Sequence, residues 1–196
     1  MAAGYTIQSG TIVLNRELTA LDIFVRDFLD VLKKHSDYLV VSGYVSIATG
    51  RSRGTEDVDI LVPQMSGQHF AGLFKALDDA GYWCYQGDSA PELLPYHKDM
   101  LPLRFARNGQ IFPNVELTPI NTTKELQFFE FNHPQKIRID GFEFNAPPIE
   151  FEILYKELKL GSEKDLEDAR HLRAFFADCI SDEKLDKFTR LIKENG

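Results

Sequence analysis

Two aspartates stand at the start of an apolar stretch, DVDILV, at residues 57–62. The stretch is typical of a buried β-strand, in which Asp57 and Asp59 would face the same side with Cα atoms roughly 6.5–7 Å apart. Like charges repel and resist burial, so a cation is expected beside them. The residues alone leave two alternatives open: an arginine, either Arg51 or Arg53, or a metal ion.

A third acid has the same setting. Glu116 lies between Val115 and Leu117 in the stretch NVELT, on a second segment that is otherwise suited to burial. Carboxylates of this kind suit Mg²⁺ or Mn²⁺, whose remaining positions are left to water and substrate phosphates. If the cation is a metal ion, Asp57, Asp59 and Glu116 are its candidate ligands; pairing of the aspartates with an arginine stays open from the residues alone. In a two-ion arrangement, one ion activates the attacking group and the other steadies a triphosphate.

The segment before the first two acids could bind an anion. Ser42 and Gly43 end the apolar stretch YLVVSG and precede a short helical stretch, so backbone N–H groups there could approach a phosphate. The spacing does not match a P-loop, which ends in Gly-Lys-Ser/Thr. Arg53 and Thr55 come four and two residues before Asp57, close enough to contact a phosphate or to order the loop.

Residues 42–62, SGYVSIATGRSRGTEDVDILV, resemble a known block. They are similar to the Gly-Gly … Arg-x-Thr-x-Asp-x-Asp pattern of AbiE-type toxin nucleotidyltransferases, within the superfamily that has a polymerase-β-like catalytic core. The resemblance favours the metal ion and implies that Asp57, Asp59 and Glu116 are both its ligands and catalytic residues. It also implies nucleotide binding by a second set of residues, which comprises Ser42, Gly43, Arg53 and Thr55. Ser42 departs from the pattern, because the family usually has glycine there.

The C-terminal stretch 148–172, PIEFEILYKELKLGSEKDLEDARHL, extends the resemblance. Helical spacing places Lys156 in the middle of an apolar face, where a lysine either snorkels or meets an anion. The family pattern implies that Lys156 and Lys164 contact the triphosphate, and that Asp165 or Asp168 orients a lysine or helps to deprotonate the acceptor. The spacing favours Asp165 as the inward acid and places Asp168 on the opposite side with Lys164. Alternatively, these acids only complement the N-terminal end of their own helix.

The changes of hydrophobic period predict an α+β fold, and the resemblance implies a nucleotidyltransferase-type mixed sheet flanked by helices. Residues 1–147 form the α/β core with an N-terminal helix, and residues 148–196 form a helical part packed on it. Turn residues at 108–109 and 140–141 predict two antiparallel hairpins. Helices are expected near 16–35, where Thr19 and Asp22 are a start signal, and at 66–80. A short helix is expected after the Ser-x-x-Glu start at 89–92, and helices continue from Pro148 onward, with starts at Ser162 and Ser181.

Composition narrows the functional classes. The chain has 196 residues, 43% of them apolar, and a formal net charge of −8, so any nucleic-acid contact needs a local basic cluster. The two cysteines lack metal-ligand spacing, and no stretch is apolar enough for a membrane span. We therefore expect a cytoplasmic protein without a membrane partner.

These features lead to one functional hypothesis and one alternative. The hypothesis is a Mg²⁺-dependent nucleotidyltransferase that moves NMP from an NTP to an RNA end such as a tRNA, a protein or a small molecule. The resemblance adds a possible toxin role, which implies an antitoxin partner. The alternative is a non-catalytic nucleotide-binding or protein-interaction module on the same fold.

Overall fold

A computed structural model describes residues 4–52, 54 and 57–195, so the predicted site residues Arg53 and Thr55 lie outside the described residues. The described strands are β1 (Tyr5–Gln8), β2 (Thr11–Leu14), β3 (Leu39–Val41), β4 (Asp57–Pro63), β5 (Tyr82–Cys84), β6 (Leu103–Arg107), β7 (Asn114–Ile120), β8 (Gln135–Ile139) and β9 (Phe142–Ala146). The described helices are α1 (Ala20–Leu32), α2 (Gly43–Ala48), α3 (Gly67–Asp79), α4 (Ala90–Lys98), α5 (Glu125–Phe131), α6 (Ile149–Tyr155), α7 (Glu163–Phe175) and α8 (Asp182–Glu194).

The larger sheet has five strands in the order β3-β4-β7-β6-β5. Strands β4 and β7 are parallel, whereas β3 and β6 run antiparallel to them. The predicted hairpin of β6 and β7 is confirmed, but its loop continues from Asn108 to Pro113 rather than stopping after two residues. All three predicted acids lie on this sheet, Asp57 and Asp59 on β4 and Glu116 on β7.

The second predicted hairpin, β8 and β9, belongs to a separate sheet with the order β1-β2-β8-β9. Strand β2 pairs in parallel with β8, which brings the N-terminal hairpin beside it. The α+β prediction is therefore confirmed, with two mixed sheets in place of the single sheet that we expected. Their partition depends on the long-range β2–β8 pairing, which the local sequence pattern does not specify.

The two faces of the larger sheet differ in chemistry. Alternate residues such as Val58, Ile60 and Val115 are fully buried against α1 and α3, where Phe28 and Phe70 belong to the same hydrophobic cluster. The other face carries the acids. The period-two alternation of the strands therefore separates the core from the predicted chemistry.

Helix α1 begins at Thr19 and Asp22, which form a capping box, and Asp22 also ties this helix to α2. The Asp22 carboxylate accepts hydrogen bonds from Arg16 at 2.6 and 2.9 Å and from the Tyr44 hydroxyl at 2.6 Å. Burial alone would raise the pKa of Asp22, but the bonds from Arg16, Tyr44 and Thr19 outweigh it and lower the pKa to about 2. This buried network holds the short helix that follows Ser42.

The C-terminal helices share the main core. Ile149, Ile153 and Leu172 lie in the same hydrophobic cluster as the sheet, so packing is continuous across the boundary expected at residue 147. Ser162 and Ser181 cap α7 and α8 as predicted, each accepting a hydrogen bond from the backbone three residues later. A π-helical turn, Lys156–Leu160, follows α6 and shifts its register. Among the described helices, none is both long and apolar enough to cross a membrane.

Candidate active site

The three predicted acids lie on one face of adjacent strands. Asp59 of β4 pairs with Glu116 of β7, and Asp57 pairs with Asn114. Residues paired across neighbouring strands point to the same side of a sheet, so the carboxylates of Asp57, Asp59 and Glu116 share one surface. All three are partly buried. The structure thus brings together residues that stand up to 59 positions apart in the sequence.

This surface is electrostatically strained. Burial, followed by the charges of Glu116 and Asp57, raises the pKa of the Asp59 carboxyl to about 6, from an ordinary 3.8. The Ser42 hydroxyl opposes the shift by interacting with the ionised carboxylate. A like-charge group of this kind is where a cation binds most favourably.

Among the described residues, Arg104 is a cation that lies beside the acids, and the sequence analysis missed it. Strand pairing places Arg104 opposite Glu116, and its Nε and Nη2 donate to Glu116 Oε2 at 2.9 and 2.7 Å. A two-residue turn at Asn108 would have paired Arg107 with Gln110 and misplaced this register. The longer loop is what aligns Arg104 with Glu116, so no local signal could have identified the pair.

Arg51 does not neutralise the acids, contrary to one of our alternatives. Its Nη2 pairs with Glu167 at 2.7 Å, and its Nε lies 2.8 Å from the buried Asp168 carboxylate. Arg51 therefore ties the loop after α2 to helix α7. The other arginine in that alternative, Arg53, is outside the described residues.

The donor set suits a hard divalent cation, since three carboxylates share one surface and repel one another. Nevertheless, the described residues contain no group of three or more acidic, histidine or cysteine side chains already arranged to hold an ion. The Glu116 contact with Arg104 accounts for part of this, because that carboxylate is engaged elsewhere. The residues fit a metal by chemistry and register, and the side chains would have to rearrange to bind one.

Ser42 occupies an unusual backbone conformation between β3 and α2, with φ 63° and ψ −131°. Positive φ is unfavourable for a residue with a Cβ, and a cost of about 1–3 kcal/mol is typical. Its backbone N–H faces the Glu152 carboxylate, and its hydroxyl interacts with Asp59. Gly43 is buried and begins α2. Both residues therefore border the acidic surface, and their predicted contact with phosphate stays a prediction.

Lys156 is fully buried, a position that disfavours its predicted contact with the triphosphate. Its Nζ lies 3.2 Å from Glu152 Oε1, 3.2 Å from Asp168 Oδ2 and 3.9 Å from Asp165 Oδ1. Burial lowers its pKa, but Glu152 and Asp168 outweigh burial and raise the pKa above 10.5. The apolar stripe does deliver the lysine to anions, and those anions are the protein's own carboxylates.

The inward acid of α7 is also not the one that we expected. Asp168 is fully buried against Lys156, whereas Asp165 keeps 18% of its side chain exposed and accepts a 2.5 Å hydrogen bond from the Ser162 hydroxyl. Lys164 is exposed. The π-helical turn and the caps at Gly161 and Ser162 set the rotation of α7, which helical spacing within 163–175 cannot supply.

A cavity of about 300 Å³ opens beside the acids. Four carboxyl groups line it, from Asp59, Glu116, Glu130 and Glu152, together with the Tyr155 side chain. Burial and the charge of Glu152 raise the pKa of Glu130 well above its usual value, and burial likewise raises that of Glu152. The sequence signals for these two acids were a charge inside the aromatic run FFEF and a Glu four residues before Lys156.

Larger cavities, of about 420, 560 and 610 Å³, lie elsewhere. Within the described part of the chain, none of these three is lined by Asp57, Asp59 or Glu116. We give more weight to the smaller cavity, because convergent polar groups and shifted pKa values mark a functional site better than volume does.

Comparison with solved structures identifies the fold. The lincosamide antibiotic adenylyltransferase LnuA, bound to lincomycin, is 17% identical, with a TM-score of 0.54 over 82% of this chain and 99% of that chain. An antigenic nucleotidyltransferase-like protein from Paracoccidioides brasiliensis is 15% identical, with a TM-score of 0.52 over 91% of each chain. ANT(2")-Ia in complex with adenylyl-2"-tobramycin is 12% identical, with a TM-score of 0.51 over 90% of this chain and 98% of that chain.

No protein-family model and no curated protein matches the sequence. The structural likenesses show that the chain has the nucleotidyltransferase superfamily fold, which confirms the fold implied by the sequence resemblance. The narrower resemblance to AbiE-type toxins stays a prediction.

Proposed function

We propose that the protein transfers a nucleoside monophosphate from an NTP to a small polar acceptor in a reaction that requires Mg²⁺ or Mn²⁺. The observation that carries this proposal is the in-register placement of Asp57, Asp59 and Glu116 on one face of β4 and β7. Three partly buried acids have little structural use there, since burial and their mutual repulsion raise the pKa of Asp59. The nucleotidyltransferase fold supports the same conclusion.

The chemistry follows from these groups. Asp57, Asp59 and Glu116 would hold the divalent ion, which supplies neutralisation of the triphosphate charge when bound. The acceptor hydroxyl loses its proton to water as its oxygen forms a bond to the α-phosphorus. The bond from the α-phosphorus to the oxygen that bridges the α- and β-phosphates breaks, and that oxygen leaves with pyrophosphate. The protein contributes mainly positioning and charge, as is usual for phosphoryl transfer.

In this proposal the nucleotide phosphates contact Ser42 and Gly43, which adjoin the acids. Arg53 and Thr55, which come shortly before Asp57 in the chain, contribute further contacts. Lys164, exposed at the start of α7, is a further phosphate contact in this proposal. Lys156 and Asp168 act instead as a buried support, and Asp165 as a cap, with no direct contact to the nucleotide.

The cavity beside the acids supports a small acceptor that is neutral or positively charged. Its carboxyl lining from Glu116, Glu130 and Glu152 can accept hydrogen bonds from hydroxyl and amino groups, whereas a phosphodiester group has no N–H or O–H to donate. A volume of about 300 Å³ is at the lower end for ligand pockets. LnuA was solved with lincomycin and ANT(2")-Ia with adenylyl-2"-tobramycin, which favours a small molecule over an RNA end or a protein.

The test is transfer of label from α-³²P-labelled NTPs, with and without Mg²⁺, to lincomycin, tobramycin, total tRNA and cell protein. We expect label in a small-molecule fraction, lost without Mg²⁺ and reduced at least about 100-fold in Asp59→Asn and Glu116→Gln. Glu143→Gln is the matched control, because Glu143 also pairs with an arginine across two strands but lies in the other sheet. Label in RNA would overturn the acceptor, and nucleotide binding indifferent to Mg²⁺ without transfer would favour the non-catalytic module.

We also propose, from the sequence resemblance, that the protein acts as a toxin in the cytoplasm and has an antitoxin partner. Induced expression of the wild-type chain should arrest growth if the role holds, and expression of Asp57→Ala should not. Unimpaired growth with both chains would contradict the toxin role and leave the transfer reaction to the assay above.

A further inference from the structure

Arg104, a described cation beside the acids, is held by an ion pair that is easily exchanged. Its side chain is 45% exposed and that of Glu116 is 20% exposed. Exposed ion pairs contribute little net free energy, a factor of about five in an equilibrium constant at most. By contrast, Arg51 pairs with the fully buried Asp168, and a buried partner left alone is costly. Arg104 is therefore the more readily displaced of the two arginines.

The Arg104 pair also occupies a predicted metal ligand. Both donor nitrogens, Nε and Nη2, converge on the single oxygen Oε2 of Glu116. Asp57 and Asp59 share the surface, and their charges act on the guanidinium together with that of Glu116. A divalent cation that uses Glu116 must therefore compete with Arg104.

We propose that Arg104 is an exchangeable counter-ion. It neutralises the acidic surface before metal binds, yields Glu116 to the divalent cation, and then contacts a phosphate oxygen of the incoming nucleotide. The proposal rests on the proposed function and adds a residue to it. The planar guanidinium fork suits both partners, since it binds carboxylate and phosphate oxygens with the same geometry.

The first experiment is calorimetric titration of the nucleotide-free protein with MnCl₂. Arg104→Gln should bind Mn²⁺ about five-fold more tightly than wild type, because the competitor for Glu116 is gone. Arg138→Gln should match wild type. Arg138 is the control because it also pairs across strands with a glutamate, Glu143, at 3.0 Å, but in the other sheet.

A variant in the Glu116→Gln background separates exchange from simple repulsion. If Arg104 competes for the Glu116 carboxylate, Arg104→Gln should give no further gain in Mn²⁺ affinity once that carboxylate is removed. A gain of the same size in both backgrounds would overturn exchange and leave only the long-range effect of one positive charge.

The second experiment measures ATP affinity at saturating Mn²⁺. Arg104→Gln should weaken ATP binding about ten-fold. Arg104→Lys keeps the positive charge without the planar guanidinium, so its ATP affinity should lie between those of wild type and Arg104→Gln. Unchanged or weaker Mn²⁺ binding in Arg104→Gln overturns the proposal while the proposed function stands. Mn²⁺ binding that is absent from wild type and every variant overturns both.

Discussion

Replacement of Asp59 by asparagine should stabilise the metal-free protein while it abolishes transfer. Burial and the charges of Glu116 and Asp57 raise the folded-state pKa of Asp59 to about 6, against an ordinary 3.8. The folded state therefore holds this proton more tightly than the unfolded state. The resulting stabilisation is fully present below the unfolded pKa and is lost as the pH rises through the folded pKa.

The shift sets the size of the effect. Compared with a permanently neutral side chain at this position, Asp59 lowers the free energy of unfolding by about 3 kcal/mol at about pH 8. At about pH 5, where Asp59 is mostly protonated in the folded state, it lowers that free energy by about 1–2 kcal/mol. Asparagine carries no charge and is similar in size, so Asp59→Asn avoids this cost. The variant should gain roughly that free energy of unfolding at each pH, less any loss from its altered contact with Ser42.

The assay is urea unfolding with a metal chelator present, for wild type, Asp59→Asn and Asp186→Asn, at about pH 5 and about pH 8. Asp186 is an exposed aspartate on α8 and should show no such gain. An Asp59→Asn protein no more stable than wild type at the higher pH, or a gain independent of pH, would refute the claim that the acidic surface is strained. If Mn²⁺ in place of the chelator raises the free energy of unfolding of wild type to that of Asp59→Asn, the strain is further connected with metal binding.

Three more outcomes follow from the geometry. Because Ser42 holds φ at 63°, Ser42→Gly should be more stable than Ser42→Ala by about 1–2 kcal/mol in chemical denaturation, and equal stabilities would contradict strain at this position. Lys156→Met should lose about 3–5 kcal/mol of the free energy of unfolding, since it leaves Glu152 and Asp168 buried without their ammonium partner. Adding Glu152→Gln and Asp168→Asn should recover part of this loss, and no recovery would argue against a charge effect. The raised pKa of Glu130 removes stability as the pH rises, so Glu130→Gln should flatten the pH dependence of thermal unfolding between acidic and alkaline buffer, and an unchanged profile would exclude Glu130 as its source.

The candidate site was predictable where its chemistry lies within a short segment. Asp57 and Asp59 share a face because of the two-residue period of a strand, and the caps at Thr19, Ser162 and Ser181 follow from side chains that bond the backbone three residues later. These features need only local geometry. The family resemblance then supplied the fold, which the solved structures confirmed.

The contacts of the site depended on strand register and helix rotation. Arg104 meets Glu116 because the loop from Asn108 to Pro113 is longer than its turn residues suggest, and a shift of register would change the pair. The sequence spacing favoured Asp165 over Asp168 as the inward acid because 148–175 was interpreted as regular helices. In the structure, the π-helical turn and the cap at Ser162 set a different orientation of α7.

The sequence by itself determined which groups this protein has for chemistry: a pair of aspartates on a strand, a third acid on another, and a lysine within an apolar face. Only the tertiary structure decided their partners, giving Glu116 to Arg104, Lys156 to buried carboxylates and Arg51 to α7. The physical reason is that local backbone geometry sets the direction of a side chain, while the identity of its neighbour depends on long-range pairing and on the burial of charge.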